Sequence, residues 1–151
     1  MKKITKKDII SYLICLLPWF LSSIIFKIDT TYYQKLNLPF FAPNKIIFPI
    51  AWTILYLLIA YSITKMKKAM NSDYKIYLLI NYFSNQLFTF CFFTIKNNFL
   101  SLVDTIIVFL SSLYLYSETK ALNKDSAKYL IPYIIWNCFA LILITTIYII
   151  N

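Results

Sequence analysis

The sequence predicts an all-α membrane protein, a bundle of five transmembrane helices. The 151-residue chain is 60% hydrophobic with a mean hydropathy of +0.67, whereas soluble domains are nearer half apolar. Its apolar residues fall in blocks of about 20, which is the length that crosses a bilayer core. All 15 basic residues are lysines, and they punctuate these blocks as membrane flanks do. We therefore expect residues 1–151 to form a single transmembrane domain.

Composition also limits the function. The net charge of +9 could indicate nucleic-acid binding, but the lysines flank apolar blocks instead of covering a soluble face, so we predict no nucleic-acid partner. The chain has no His and no Gly, which removes the commonest metal ligand and every glycine-rich phosphate loop. Cys15, Cys91 and Cys138 lie far apart inside apolar blocks, where they are most simply small buried side chains. We predict no metal site and no required cofactor.

The first predicted helix covers residues 9–26 after a lysine-rich N-terminal stretch. This region resembles a signal peptide, but its apolar run is too long, Pro18 interrupts it, and no small-x-small cleavage site follows. We therefore predict a transmembrane helix with a kink at Pro18. A lid loop over residues 27–45 comes next. Pro39 and Pro43 stiffen this loop, and Asn44 offers an N-cap for the second helix.

Short polar connections separate the remaining helices. They are residues 65–75, a tight turn at 96–98 and a charged linker at 118–128. Pro132 falls in the first turn of the last helix, where proline is tolerated. The predicted helices after the lid loop cover residues 46–64, 76–95, 99–117 and 129–150.

The lysines are distributed unequally between the two ends of the predicted bundle. Eleven belong to the N-terminal stretch and the connections after the second and fourth helices, and four belong to the lid loop and the 96–98 turn. The positive-inside rule then predicts a cytoplasmic N-terminus, with the lid loop and the C-terminus outside. We expect a bacterial cell membrane.

Four groups of residues occur in a characteristic order along the chain. The groups are Pro39, Pro43, Phe48, Trp52, Leu55 and Tyr56 at the lid loop and second helix; Asn85, Gln86, Phe88, Phe92 and Phe93 in the third; Asp104 in the fourth; and residues 130–140 in the fifth. Together they resemble the TspO/MBR family of translocator and tryptophan-rich sensory proteins over about residues 9–151. Asn44, Pro49-Ile50 and Phe88 depart from the family pattern, and the family's helix-contact glycines are absent.

The resemblance implies a receptor-like protein that binds porphyrins such as protoporphyrin IX, and hydrophobic drugs of the benzodiazepine or isoquinoline type. It also implies a homodimer. The family's matching tryptophans are implicated in porphyrin breakdown, so it assigns a catalytic role to Trp52 and Trp136, with porphyrin as ligand or substrate. The alternative to a role in ligand binding or breakdown is that Trp52 is an aromatic residue of the membrane interface and that Trp136 packs in the core. At different depths, the two indoles could bracket a flat ring system by stacking.

Polar groups inside apolar blocks are the other candidates. Asn85 and Gln86 either contact a ligand or form interhelical hydrogen bonds. Asp104 is the only acid inside an apolar block, and it either serves function or pairs with Lys45, Lys96 or polar groups of the third helix such as Asn85. The remaining predicted lining consists of Ser23, Tyr33, Pro43, Phe88, Phe92, Ala140 and Leu143.

The predicted function is therefore ligand binding in an aromatic pocket under the lid loop. If the protein also turns over its ligand, the predicted reaction is light-dependent oxidation of bound porphyrin. The partners are a porphyrin or other hydrophobic small molecule and the lipid bilayer. Two alternatives stay open. One is a lipid, sterol or tetrapyrrole transporter, and the other is a structural or sensory subunit without ligand chemistry.

Overall fold

A computed structural model describes residues 5–151 of the chain, and five helices in that range are long and apolar enough to cross a membrane. The prediction of an all-α membrane bundle is confirmed. Large apolar side chains are exposed along every one of these helices, as a lipid environment requires. We name the helices span 1 (Lys6–Ile25), span 2 (Ile47–Met66), span 3 (Ser72–Thr94), span 4 (Asn98–Leu122) and span 5 (Lys124–Ile150).

Span 1 is interrupted where Pro18 was expected to kink it. Its α-helix Lys6–Leu16 gives way to a 3₁₀ turn, Leu17–Phe20, before a short helix Leu21–Ile25 completes the span. A capping box begins the span, in which the Thr5 amide donates to Asp8 Oδ2 at 2.9 Å. Lys2 and Lys3, which contribute to the predicted charge bias, lie outside the described residues.

The charged linker predicted at 118–128 is wrong, because this region is helical. Span 4 continues to Leu122, and span 5 begins at Lys124 with the helix Lys124–Ala127 and a 3₁₀ turn, Lys128–Leu130, ahead of Ile131–Ile150. The sequence at 118–122 is rich in good helix formers. Asn123 alone separates the spans, and its side chain accepts hydrogen bonds from the amides of Asp125 and Ser126, each at 3.1 Å.

The lid loop contains a helix that was not predicted, Thr30–Lys35. Asp29 caps it by accepting from the amides of Thr31 and Tyr32. The N-cap expected at Asn44 is wrong in detail. Its Oδ1 accepts from the Ile46 amide at 3.2 Å and closes a turn before span 2, which begins without a side-chain cap.

Polar contacts at three places fasten the lid loop to the bundle. Asp29 pairs with Lys96 at 2.9 Å in the turn between spans 3 and 4, and the Tyr32 hydroxyl donates to Asn98 Oδ1 at 3.0 Å. The Asn37 amide donates to Asn151 Oδ1 at 2.8 Å. The lid loop is thereby attached to the ends of spans 3, 4 and 5.

The packing of the spans leaves room under the lid loop. Span 4 packs along spans 3 and 5, and span 1 packs on span 2. Span 2 packs on the first residues of span 5, Lys124–Leu130, and contacts the helix Ile131–Ile150 much less. Separate groups of buried apolar residues fill the two halves of the bundle, one around Ile59, Met66 and Tyr133 and the other around Tyr33, Phe92 and Ile147.

Candidate functional site

A cavity of about 430 Å³ lies in the lid half of the bundle, between the lid loop and all five spans. Its volume is within the range of small-molecule sites, and such sites are mostly apolar with a few placed polar groups. Lys45 is the only charged side chain among the described residues that line it. Nine aromatic residues line it: Phe20, Tyr33, Phe48, Trp52, Tyr56, Phe88, Phe92, Phe93 and Trp136.

The structure brings nine of the twelve predicted site residues to this cavity. Their role in binding stays a prediction, since the position of a side chain on a cavity wall does not establish what it binds. Pro43, Gln86 and Asp104 are not part of the lining. The nine are Ser23, Tyr33, Trp52, Asn85, Phe88, Phe92, Trp136, Ala140 and Leu143.

Trp52 and Trp136 touch each other edge to face. Their ring centroids are 6.4 Å apart and the rings are inclined at 83°. The expected arrangement, with the two indoles on opposite faces of a flat ring, is therefore wrong, because no gap separates them. They form instead a corner of the cavity wall, and Phe48 packs on Trp136 at 6.2 Å and 77°.

Pro43 acts on the cavity through Tyr33. The Tyr33 hydroxyl donates to the Pro43 carbonyl at 3.0 Å, and its ring packs edge to face on Phe48 at 5.3 Å. The second half of the lid loop thus fixes the orientation of an aromatic side chain that contributes to the cavity wall.

Gln86 faces span 1 instead of the cavity. Its Oε1 accepts from the Ser22 amide at 2.7 Å, and its Nε2 donates to the Trp19 carbonyl at 3.3 Å. Of the two interpretations considered for this residue, interhelical hydrogen bonding is the one that describes its position. Asn85 and Gln86 point in different directions, as neighbours on a helix must.

Asp104 is buried between spans 3 and 4, and the Ser84 hydroxyl donates to its Oδ1 at 2.6 Å. Of the partners considered for it, the two lysines are not used, since Lys96 pairs with Asp29 and Lys45 lines the cavity. Asn85 is not its partner either. The carboxylate is held by a polar group of span 3, which was one of the alternatives.

Asn85 belongs to a chain of buried hydrogen bonds across the bundle. The Tyr56 hydroxyl donates to Asn85 Oδ1 at 3.0 Å, and Asn85 Nδ2 donates to the Tyr133 hydroxyl at 3.2 Å. Tyr133 in turn donates to Asn81 Oδ1 at 3.0 Å, and Asn81 Nδ2 donates to Ser111 Oγ at 2.9 Å. This network joins spans 2, 3, 4 and 5 at the inner end of the cavity.

Sequence reasoning missed several polar lining residues, among them Asn137, Thr53, Thr89 and Thr105. It also did not predict Tyr56 as a hydrogen-bonding group. Asn137 is 1% exposed and lines the cavity. It carried the same signal as Asn85, an amide inside an apolar block, where an unpaired polar group is costly. Next to the more conspicuous Trp136, this signal was overlooked.

The site offers binding and orientation more readily than acid–base chemistry. Within residues 5–151, no three His, Cys, Asp or Glu side chains come together in a way that could hold a metal ion. The polar groups of the lining are amides and hydroxyls, together with Lys45 at the end of the lid loop.

Five membrane-length helices define an integral membrane protein, and an aromatic cavity lies inside the bundle under a tethered loop. The sequence profile of the TspO/MBR family matches residues 11–149, and the chain belongs to this family. It is 36% identical to the tryptophan-rich protein TspO of Bacillus cereus over 149 residues, 97% of each chain. It is 33% identical to the tryptophan-rich protein TspO of Archaeoglobus fulgidus over 80% of each chain, and 31% identical to the uncharacterized membrane protein YtaB of Bacillus subtilis over 82% of each.

Proposed function

We propose that this protein binds porphyrins, with protoporphyrin IX as the reference ligand, and hydrophobic drug-like molecules of the benzodiazepine or isoquinoline type. The observation that carries the proposal is the corner formed by Trp52 and Trp136 on the wall of a 430 Å³ aromatic cavity. Burial of apolar ligand surface, about 25 cal/mol per Å² before the costs of association, would supply most of the affinity.

A metal-free ring suits the lining better than haem. The chain contains no His, so a haem iron would lack its commonest axial ligand. The aromatic wall needs no such ligand, because a porphyrin lying against one indole face would meet the edge of the other.

Titration with protoporphyrin IX in detergent or nanodiscs tests the proposal, with Soret absorbance reporting affinity and indole fluorescence reporting location. We expect saturable quenching in the native chain and Kd values raised about 2- to 10-fold in Trp52→Phe and Trp136→Phe. Trp19→Phe is the control, since Trp19 is 2% exposed, is not part of the lining, and packs on Tyr82 and Tyr56. Absence of saturable binding, or an equal effect in Trp19→Phe, would contradict the proposal.

Light-dependent degradation of the bound porphyrin is the form of turnover that this site favours. The excited ring and dioxygen, as oxidant, supply the reactivity, and Trp52 and Trp136 orient the ring. Soret absorbance of the complex should decay under light in air, remain constant in the dark or under argon, and decay more slowly in the two Phe variants than in Trp19→Phe. Equal decay for bound and free porphyrin would leave binding as the function.

A carrier of lipids, sterols or tetrapyrroles is the second candidate, and one observation favours it. Ser23 of span 1 and Pro49 and Thr53 of span 2 line the cavity and are also exposed, so the cavity reaches the lipid-facing surface between these spans. Transfer of a fluorescent sterol or of porphyrin between vesicles should accelerate with the protein if this candidate is correct. The third candidate, a structural or sensory subunit, predicts neither binding nor transfer.

We also propose that the N-terminus is cytoplasmic and that the lid loop and C-terminus are outside. The lysine distribution supports this orientation. Two exposed positions at opposite ends of the bundle test it in a background without native cysteines, Lys35→Cys and Lys68→Cys. A membrane-impermeant maleimide added to intact cells should label the first and spare the second, and the reverse pattern would overturn the orientation.

We also propose that the protein forms the homodimer that its family implies. The broad apolar surface of span 3, where Ile76, Leu79 and Phe83 are exposed, is compatible with either lipid or a second copy. Mass measurement in nanodiscs loaded at increasing protein ratio distinguishes these occupants.

A further inference from the structure

Lys45 is a half-buried cation on the wall of an otherwise uncharged cavity. It lies at the end of the lid loop, just before span 2 begins at Ile47, and it is the one charged side chain among the described residues of the lining. The ion pairs within residues 5–151 are Asp29–Lys96 and Asp125–Lys128. In this part of the chain, Lys45 therefore has no ion-pair partner.

No acidic side chain of the chain is available to pair with Lys45. Asp29 is occupied by Lys96, and Asp104 is buried between spans 3 and 4, where a hydroxyl of span 3 holds it. The other four acids lie at the opposite end of the bundle, and they are Asp8, Asp73, Glu118 and Asp125. An anion that pairs with Lys45 has therefore to come with the ligand.

The aromatic corner of the cavity lies beside this lysine. Phe48 follows Lys45 by three residues, and both side chains line the cavity. The Phe48 ring packs on Tyr33 at 5.3 Å and on Trp136 at 6.2 Å, and Trp136 in turn contacts Trp52. A flat ring that lies against this corner thus has the lysine near its edge.

A carboxylate is the ligand group that this arrangement favours. An ionised carboxylate that enters an apolar cavity loses its hydration, and a cation is needed to offset that loss. Lys45 supplies the cation. Its side chain is only partly buried, so the ammonium group can stay hydrated at the end of a long apolar stem when no ligand is bound.

We propose that Lys45 forms a subsite for a carboxylate carried on a flat aromatic ring system, so that the cavity selects such acids over their neutral esters. This inference rests on the proposed function and deepens it, because it names the group that orients the ligand. The ring lies against the corner of Trp52 and Trp136, and the carboxylate points toward the start of span 2. Protoporphyrin IX, which carries two propionate side chains, has the required chemistry.

Protoporphyrin IX and its dimethyl ester share one ring and differ in charge, so together they isolate the role of Lys45. In nanodiscs of uncharged lipid, Lys45→Gln should raise the Kd of the free acid about 3- to 20-fold, and that of the diester less than twofold. Lys45→Arg keeps the charge and should retain most of the preference for the acid. Lys35→Gln is the matched control, because Lys35 is an exposed lysine of the same loop outside the lining. It should leave both Kd values within about twofold of the native ones.

Chemical protection of the native chain provides a second measurement that needs no variant. An acetylating reagent should modify Lys45 more slowly with the free acid bound than with the diester bound, because an ion-paired ammonium group gives up its proton less readily. Lys35 should react at the same rate in both complexes. Oleate carries the carboxylate without a ring and should displace protoporphyrin IX only weakly.

The outcomes separate the subsite from the proposed function. Equal protection by the two porphyrins, or equal weakening of both in Lys45→Gln, overturns the subsite and leaves porphyrin binding intact. An equal effect of Lys35→Gln also overturns it, because surface charge would then explain the preference. Displacement by oleate at equal concentration overturns the requirement for a ring. Failure of the native chain to bind either porphyrin overturns the proposed function and the subsite together.

Discussion

Gln86 of span 3 accepts a hydrogen bond from the backbone amide of Ser22 in span 1 at 2.7 Å. The amide is available because the 3₁₀ turn Leu17–Phe20 interrupts the regular helical pattern, and the Leu21 amide donates to the Pro18 carbonyl in place of the usual bond. Gln86 Nε2 also donates to the Trp19 carbonyl. A side chain from one span therefore completes the backbone hydrogen bonding of another, which a membrane interior demands.

Replacing Gln86 with leucine should destabilise the fold by about 1 to 3 kcal/mol, because the Ser22 amide and the Trp19 carbonyl lose their partner in an apolar medium. Reversible unfolding in mixed detergent measures this difference. Leu87→Ala is the control, since Leu87 is 47% exposed toward lipid, and it should cost less. Equal costs would show that Gln86 acts only by filling space.

Tyr133→Phe should cost more than Tyr56→Phe. The Tyr133 hydroxyl joins two amides, Asn81 and Asn85, whereas the Tyr56 hydroxyl donates only to Asn85. Removing the bridging hydroxyl leaves two buried amide groups short of a partner, so we expect about 1 to 3 kcal/mol for Tyr133→Phe and about half of that for Tyr56→Phe.

The same unfolding assay provides a second check on this network. Tyr133→Phe and Asn81→Leu should be non-additive, because each removes the same hydrogen bond. Strict additivity would mean that the two side chains stabilise the bundle independently.

Asp104 should tolerate conversion to asparagine better than to leucine. Asparagine keeps an oxygen that can accept from the Ser84 hydroxyl, now bonded at 2.6 Å, and leucine does not. We expect a change below about 1 kcal/mol for Asp104→Asn and a loss of about 1 to 3 kcal/mol for Asp104→Leu. Equal losses would indicate that the negative charge itself is required, and porphyrin titration of Asp104→Asn would then show whether binding depends on it.

Attachment of the lid loop should weaken in acid. Hydrogen bonds from Thr31 and from Lys96 hold the pKa of Asp29 well below its ordinary value of 3.8, so the carboxylate favours the folded lid loop. This stabilisation is fully present above pH 3.8 and is lost as the pH falls toward the lowered pKa. Hydrogen–deuterium exchange over residues 29–36, corrected for intrinsic rates, should rise with acidification.

Two variants separate the roles of Asp29 in that experiment. Asp29→Asn keeps an oxygen that can cap Thr30–Lys35 but loses the ion pair with Lys96, so its exchange should be higher at neutral pH and insensitive to acid. Asp29→Ala loses the cap as well and should exchange fastest. Added salt should raise exchange in the native chain only, because the pair is solvent-accessible. Acid sensitivity that persists in Asp29→Asn would assign the effect to another group.

Hydropathy and the lysine flanks were sufficient to predict five helices, because the bilayer fixes both the length and the composition of a spanning segment. The ends of these helices are harder to predict from the sequence. The charges of Glu118 and Lys120 favour a connection at 118–122, yet this stretch is rich in good helix formers and extends span 4 beyond the apolar block. The cap at Asp29 was present in the sequence, but the short helix behind it has no apolar periodicity to reveal it.

Most residues of the cavity wall could be predicted from the sequence, but their arrangement relative to one another could not. Trp52 and Trp136 were placed on the wall from family resemblance, whereas their mutual contact depends on how span 2 diverges from span 5. Gln86 could not be assigned in advance, because its partners are backbone groups made available by a break in another span. Pattern identifies the polar residues of a membrane interior, and tertiary packing determines their partners.

Span 3 ends in a π-helical turn, Phe90–Thr94, where the Ile95 amide donates to the Phe90 carbonyl at 2.9 Å. Such a turn accommodates one residue more than an α-helix would in the same length. Phe92 and Phe93 within it both line the cavity. Deleting one residue of this turn would restore a regular helix and rotate the residues that follow the deletion by about 100° relative to the rest of span 3. The shape of this cavity wall therefore depends on one extra residue, and a variant that lacks it should have a differently shaped cavity.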